Sequence, residues 1–120
     1  MHPIGGGAYL PMINALARAG HQVIYCNSRF RGTDSALLME KVIEDLGAAI
    51  KDARERLGYR KVVLAGWSGG GSLSMFYRQQ AQHATVTSSP SGAGQTSPNS
   101  TCPLPTGSCC WLPTSVGTAR

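Results

Sequence analysis

The most constraining feature of this chain is a short apolar run that passes directly into a glycine-rich turn and then into a helical segment. The run is Val-Val-Leu-Ala at residues 62–65, and the turn is Gly-Trp-Ser-Gly-Gly at residues 66–70. A continuous apolar run of this length is typical of a strand buried on both faces, as in a parallel sheet between layers of helices. The chain is therefore predicted to belong to the α/β class.

A long amphipathic helix is predicted upstream of this strand. Apolar residues recur there at steps of three and four with charged residues between them, which is the period of a helix with one buried face. Thr33 or Asp34 is predicted to cap the start of this helix, and Gly58 is predicted to end it. The apolar positions are Met39, Ile43, Leu46, Ile50, Ala53 and Leu57.

Two further helices and one more strand complete the prediction. Residues 10–19 are predicted as a helix that ends at Gly20, and a third helix is predicted to start in the glycines at residues 69–71. The apolar run at residues 23–26, rich in strand-forming residues, is predicted as a strand. A strand, the long helix and a second strand together predict a βαβ unit, with parallel strands and a right-handed crossover helix.

The turn at residues 66–70 has the residue types that a catalytic serine needs. A serine hydroxyl is a weak nucleophile, so it must lie on a sharp turn that a base and a substrate carbonyl can both reach. A strand that turns directly into a helix provides this position if the residues two before and two after the serine, Gly66 and Gly70, are small. Ser68 is then the candidate nucleophile, and the N–H of Gly69 is one donor of an oxyanion hole. The alternative is a flexible turn in which Ser68 only caps the third helix.

A second glycine-rich segment lies near the N-terminus, where His-Pro-Ile at residues 2–4 precedes three glycines. Glycine amides at the entrance of a helix are suited to binding a developing oxyanion. Gly5 or Gly6 is therefore a candidate for the second oxyanion donor. The alternative is a loose glycine turn without a catalytic role.

These two glycine segments, together with Arg-Phe-Arg-Gly-Thr-Asp-Ser at residues 29–35, resemble motifs of the α/β-hydrolase fold family, in particular its serine esterases and lipases. The resemblance covers residues 1–82, from the oxyanion loop to the helix after the nucleophile elbow. It implies that Ser68 attacks a small-molecule ester or acyl substrate, that Gly69 and one glycine of the N-terminal segment hold the oxyanion, and that no cofactor or metal takes part. It also implies that the arginines at residues 29–35 are structural rather than catalytic.

The resemblance also indicates what this chain lacks. In the family an acid and then a histidine follow the nucleophile, but no Asp or Glu follows Glu55, and His83 is the only histidine after Ser68. A helix rises about 1.5 Å per residue and would carry His83 about 20 Å from the serine, beyond hydrogen-bond reach. We therefore expect an incomplete α/β-hydrolase fold that is inactive alone. The open alternatives are a truncated or frameshifted non-catalytic fragment, and a piece that acts only with a complementing partner chain.

Residues 83–120 differ in composition from the rest of the chain. They are rich in Ser, Thr, Pro and Gly, and Arg120 carries their only fixed side-chain charge. Because no helical or alternating period is present, we predict a disordered, low-complexity tail after a partial hydrolase domain at residues 1–82. An out-of-frame translation would give the same abrupt change in composition.

The composition argues against several other classes of protein. Lys and Arg are scattered rather than clustered, which argues against a nucleic-acid or membrane surface, and the four cysteines match no paired-ligand zinc pattern. The first residues lack the features of a signal peptide, and no segment approaches the roughly 18 apolar residues of a membrane span. A cytoplasmic protein is therefore expected, in an oligomeric state that the sequence does not predict.

Overall fold

The computed structural model describes residues 1–8, 10–83 and 85, together with the backbone of residues 107–111. The described residues form three helices and two parallel strands, which is an α/β arrangement. None of these helices combines the length and the apolar character needed to cross a bilayer. In chain order the elements are α1 (Pro11–Arg18), α2 (Met39–Glu55), β1 (Val63–Trp67), α3 (Gly69–Gln82) and β2 (Gly107–Trp111).

α1 begins and ends close to the residues that its sequence predicts. Pro11 occupies the first turn, where its missing N–H has no helical partner to lose and its fixed φ suits a helix. Gly20 follows the last turn with a φ of +86°, a conformation that residues with a side chain rarely adopt. No residue of α1 is buried, and its apolar side chains Ile13 and Leu16 line a cavity rather than a packed core.

The apolar face of α2 forms most of the core. Five of its apolar side chains are buried, and Ile50 and Val42 are among the least exposed of them. The predicted face is buried in its middle part, whereas Met39 at its start is only partly buried and Leu57 at its end is 41% exposed. Val42, which the prediction did not include, is fully buried. Leu57 lies beyond the last helical residue, Glu55, so it no longer points towards the core. The buried apolar residues of α2 are Val42, Ile43, Leu46, Ile50 and Ala53.

The predicted N-cap of α2 is wrong. The helix begins at Met39, and no side chain caps it. Thr33 and Asp34 belong instead to two preceding turns: the Thr33 N–H donates to the Phe30 carbonyl at 3.0 Å, and the Leu37 N–H donates to the Asp34 carbonyl at 3.1 Å. A capping side chain reaches only the first turn of its own helix, and these intervening turns delay the start of α2 beyond that reach. The predicted end is close to the observed one, because Gly58 follows the helix with a φ of +74°.

α3 packs against α2 and thereby positions the turn that precedes it. Leu73 and Tyr77 are almost fully buried. The Tyr77 ring lies against Gly47 of α2, where an added Cβ would be at an ordinary contact distance of 3.4 Å. The contact fixes α3 firmly on α2, and with it the backbone at the start of α3.

β1 and β2 are parallel, and their register pairs Val63 with Gly107 and Trp67 with Trp111. β1 begins and ends later than the predicted run at residues 62–65, because the ladder continues to Trp67. Only one face of β1 is covered: Leu64 belongs to the core, whereas Val63 is 59% exposed. The predicted burial on both faces is therefore wrong for the part of the chain that the structure describes.

β2 lies within residues 83–120, the segment for which the sequence predicts a tail without regular structure. Composition did not indicate this strand, because a parallel ladder is made by backbone groups and Gly107 and Ser108 are poor strand formers. Apart from His83, Thr85 and β2, the segment predicted to be disordered lies outside the described residues.

The predicted strand at residues 23–26 does not form. Within the described residues this segment pairs with no other strand, and Val23 and Ile24 remain at least 36% exposed. A strand is stable only beside a partner, and the partner of β1 is β2 rather than this segment. The predicted βαβ unit through the long helix is therefore not formed, and Tyr25 binds the N-terminal glycine segment instead.

Candidate active site

Ser68 joins β1 to α3 in a conformation that is unusual for a residue with a side chain. Its φ is 51° and its ψ is −126°. No other non-glycine residue among those described has a positive φ. Such conformations cost about 1–3 kcal/mol and persist only where the surrounding structure enforces them. The backbone therefore turns sharply at the residue singled out by the sequence.

The hydroxyl of Ser68 is exposed and does not cap α3. Ser68 occupies the N-cap position, yet its side chain makes no capping hydrogen bond. The first turn is closed by the backbone instead, since the Gly71 N–H donates to the Ser68 carbonyl at 2.8 Å. This geometry argues against the alternative in which the serine serves only as a helix cap.

Gly66 and Gly70 allow the backbones around the serine to approach closely. A Cβ at Gly66 would lie 2.3 Å from the Gly70 carbonyl oxygen, and a Cβ at Gly70 would lie 2.6 Å from the Met1 carbonyl oxygen. Both distances are far shorter than van der Waals contacts, and backbone atoms in a packed region have little room to move aside. The predicted need for small residues on either side of Ser68 thus has a direct steric cause.

Residues 2–7, which we call the glycine loop, lie against the start of α3. A Cβ at Gly69 would lie 3.1 Å from His2 Nε2 and 3.4 Å from Pro3 Cδ. The structure therefore brings together the two glycine-rich segments, which are far apart in the sequence.

Two N–H groups in the glycine triplet are already bound by side chains. The Gly5 N–H donates to His2 Nδ1 at 2.7 Å, and the Gly7 N–H donates to the Tyr25 hydroxyl oxygen. The Gly6 N–H makes no hydrogen bond within the described part of the chain. Of the two candidates for the second oxyanion donor, Gly6 is thus the one whose N–H is open to a ligand.

The carbonyl groups of the glycine loop are held by the segment between α1 and α2. Three donors of this segment reach across to the loop, and two of them are side-chain hydroxyls. The sequence gives no sign of these contacts, because they join residues about twenty or more positions apart and a tyrosine in an apolar run resembles a core residue. The donors are the Ser28 hydroxyl, the Gly32 N–H and the Tyr25 hydroxyl, which bind the carbonyl oxygens of residues 3, 4 and 5 respectively.

The hydrogen bonds of His2 determine which ring nitrogen carries its proton. Nδ1 accepts from the N–H groups of Gly5 and Ile4, at 2.7 and 3.3 Å. Because a backbone N–H can only donate, Nδ1 is unprotonated and the neutral ring carries its proton on Nε2. Burial and the nearby α-amino group of Met1 lower the pKa of His2, which favours this neutral form. His2 is therefore a donor at Nε2, where a general base for Ser68 would need to be an acceptor.

A cavity of about 200 Å³ opens beside Ser68. Its polar edge includes Ser68, His2, Tyr25 and the backbone of Gly6. Sites for drug-sized ligands usually measure about 300–1,000 Å³, so this cavity suits a small group next to the serine. Its apolar wall is formed by Leu10, Met12, Ile13, Leu16, Val23, Ala65 and Trp67 among others.

The other two histidines do not line this cavity. His21 is an exposed residue after α1, and His83 follows the last residue of α3, at the opposite end of that helix from Ser68. Within the described residues, no group of three or more His, Cys, Asp or Glu side chains could hold a metal ion. The described part of the chain thus places the candidate serine beside candidate oxyanion donors, and no histidine or carboxylate suited to act as the base lines the cavity.

Arg29 forms an ion pair with a carboxylate of α2. Its guanidinium donates to Asp45 of α2 at 2.6 and 2.9 Å, and its backbone N–H donates to the same carboxylate. The hydrogen bond with Asp45 raises the pKa of Arg29. This pair ties the segment that holds the glycine loop to the helix that forms the core.

Residues 2–106 match the family model of the alpha/beta hydrolase fold. This range covers most of the chain and includes the glycine loop, the turn at Ser68 and α3. The chain therefore belongs to the alpha/beta hydrolase fold family, which confirms the resemblance seen in its motifs. The match also extends beyond residue 82, where the sequence analysis ended the hydrolase domain. No curated protein and no solved structure gives a significant match.

Proposed function

We propose that this chain carries the nucleophile and the oxyanion donors of a serine hydrolase site that acts on carboxylic esters or related acyl compounds. The observation that carries the proposal is the Ser68 hydroxyl, which is exposed, makes no capping bond, and lies at a φ of 51° beside a cavity. Membership of the alpha/beta hydrolase fold family supports this function, because serine hydrolysis is a chemistry that the fold commonly hosts.

The geometry supports an acyl transfer in two stages. Ser68 Oγ forms a bond to the acyl carbon of the substrate while its proton passes to a base. The carbonyl oxygen becomes an oxyanion that accepts hydrogen bonds from the N–H groups of Gly69 and Gly6, helped by the positive end of the α3 dipole. The tetrahedral intermediate then breaks its bond to the leaving oxygen, which takes up a proton, and water later hydrolyses the acyl-serine.

The size and lining of the cavity favour a small acyl group. The cavity measures about 200 Å³, and apolar side chains of α1 form much of its wall. Burial of apolar groups against such a wall contributes about 0.8 kcal/mol per methylene. Short-chain esters are therefore the substrates that this part of the site fits best.

Proton transfer from Ser68 is the step that the described residues do not provide. Nε2 of His2 already carries a proton, because its Nδ1 accepts two backbone N–H groups. His83 lies at the far end of α3, and the sequence has no Asp or Glu after Ser68. We therefore propose that this chain turns over substrate slowly or not at all until a base is supplied.

A second candidate function is that of a piece completed by a partner chain, which would supply the acid and the histidine. Exposed apolar side chains favour it. Val63 in β1 is 59% exposed, although strands of α/β proteins are normally covered on both faces. Ile24, which lies outside the strands, is also 48% exposed.

A fluorophosphonate reagent, with imidazole as an added base, tests the proposal on the whole chain. We expect slow labelling of Ser68 alone, a rate that rises in proportion to imidazole, and loss of labelling in Ser68→Ala. Ser72→Ala is the matched control, because Ser72 is also exposed but lies within the regular helix one turn further on.

The outcomes test the nucleophile and the expected inactivity separately. Labelling that shows no preference for Ser68 over Ser72 in the presence of imidazole would refute the proposed nucleophile. Fast, stoichiometric labelling without imidazole would show that the chain has its own base and would contradict the expected inactivity.

A further inference from the structure

We propose that Tyr25 is a positioning residue of this site, whose hydroxyl holds the glycine loop in the shape that leaves the Gly6 N–H open to the substrate oxyanion. The inference rests on the proposed function, in which Gly6 donates to the oxyanion, and it adds a residue that no motif in the sequence indicates.

The Tyr25 hydroxyl binds the residues on both sides of Gly6. It accepts a hydrogen bond from the Gly7 N–H and donates one to the Gly5 carbonyl at 3.1 Å. A single hydroxyl can do both, since it has one proton to donate and two lone pairs to accept with. The two peptide groups that flank Gly6 are therefore fixed to the same oxygen atom.

His2 fixes the loop on the preceding side. Its Nδ1 accepts a hydrogen bond from the Gly5 N–H, and the Tyr25 hydroxyl accepts one from the Gly7 N–H. The Gly6 N–H is left without a partner in the described residues, and Gly6 is one of the residues that line the cavity beside Ser68. Backbone N–H groups away from bulk water are normally paired, so an open N–H held at a cavity is prepared for a ligand acceptor.

The glycines on either side of Gly6 allow these contacts. A Cβ at Gly7 would lie 3.1 Å from the Tyr25 hydroxyl oxygen, and a Cβ at Gly5 would lie 2.9 Å from His2 Nδ1. A Cβ at Gly6 would instead meet the flexible guanidinium of Arg31, at 3.3 Å. The loop has glycine, which lacks a side chain, at the two positions that Tyr25 and His2 contact. This indicates that these contacts determine the conformation of the loop.

Tyr25→Phe tests the inference because it removes one oxygen and keeps the ring that lines the cavity. Tyr59→Phe is the matched control, since the Tyr59 hydroxyl makes no hydrogen bond within the described residues. Two readouts are used on the whole chain: hydrogen exchange of the Gly5, Gly6 and Gly7 amides by NMR, and imidazole-assisted labelling of Ser68 by the fluorophosphonate. Urea unfolding of both variants shows that they remain folded.

We expect Tyr25→Phe to speed exchange of the Gly7 amide at least tenfold and to leave the control unchanged. We also expect the maximum labelling rate to fall about ten- to hundredfold, because a displaced donor loses transition-state stabilisation. The reagent concentration at half-maximal rate should stay the same, since the cavity wall is intact.

Three results would overturn the inference or separate it from the proposed function. Unchanged Gly7 exchange would show that the hydroxyl does not hold the loop. Faster exchange with an unchanged labelling rate would show that it holds the loop without positioning a donor. If the unmodified chain is not labelled at Ser68 at all, the proposed function fails, and the exchange data alone decide whether Tyr25 holds the loop.

Discussion

Replacing Ser68 with glycine should make the chain more stable, because the wild-type residue has a φ of 51° and a ψ of −126°. A side chain in such a conformation costs about 1–3 kcal/mol, whereas glycine adopts it readily. Glycine also gives the unfolded chain more freedom, which offsets about 0.4–1 kcal/mol of the gain. The hydroxyl is exposed and makes no capping bond, so its removal loses little else. The net stabilisation expected is about 1 kcal/mol.

Urea unfolding of Ser68→Gly and Ser68→Ala measures this strain directly. Alanine removes the hydroxyl but keeps the Cβ, so it should leave the strain in place and have a stability close to that of the wild type. The glycine variant should unfold at a higher urea concentration with an unchanged slope, and a gain of about 1 kcal/mol should raise its Tm by several degrees. If the glycine variant is no more stable than the alanine variant, the backbone at Ser68 stores no strain and the reasoning is refuted.

Three further changes test other parts of the structure. Gly66→Ala should lower the free energy of unfolding, measured in urea, by about 3 kcal/mol or more, since its Cβ would lie 2.3 Å from a backbone oxygen. Gly47→Ala, whose Cβ would have a nearest contact of 3.4 Å, should be neutral or raise it by up to about 1 kcal/mol. Equal effects of the two substitutions would contradict the packing described. The pKa of His2 is lowered in the folded state, so the unfolded state binds the proton first as the pH falls. The contribution of neutral His2 to the free energy of unfolding should therefore be fully present above about pH 6.5 and decline below it. The decline should be smaller in His2→Asn. A free energy of unfolding that does not change with pH would count against the acceptor role of Nδ1. Asp45→Asn should lower the free energy of unfolding by about 1 kcal/mol, because the carboxylate binds Arg29 in a partly exposed pair. If this loss is the same in 1 M salt as in low salt, charge is not its cause.

The helices were predictable from the sequence because their signals are local. The period of the apolar residues in α2 and the proline and glycine that bound α1 are properties of neighbouring residues. The strands were less predictable, since a strand depends on a partner that is distant in the sequence. Residues 23–26 have the composition of a strand and are not one, whereas Gly107–Trp111 has little of that composition and pairs with β1.

In the candidate site, too, the residues in a local motif were predictable from the sequence, and those that depend on distant contacts were not. Ser68 and the small residues around it follow from a short motif, and the steric contacts of Gly66 account for the motif physically. The choice between Gly5 and Gly6 depends on which N–H groups other side chains have already taken up. Tyr25 is one of those side chains, and only the folded structure shows that it reaches the glycine loop.

The three consecutive glycines of the loop have different mutational tolerance. A methyl group would lie 2.9 Å from His2 Nδ1 at Gly5 and 3.1 Å from the Tyr25 hydroxyl at Gly7, so substitutions at either position should disturb the side chains that hold the loop. At Gly6 the neighbour is a flexible guanidinium, and no described glycine of the triplet needs a positive φ. Position 6 is thus the place in the triplet where a designer could add a small side chain at the mouth of the cavity and alter its selectivity while the loop keeps its shape.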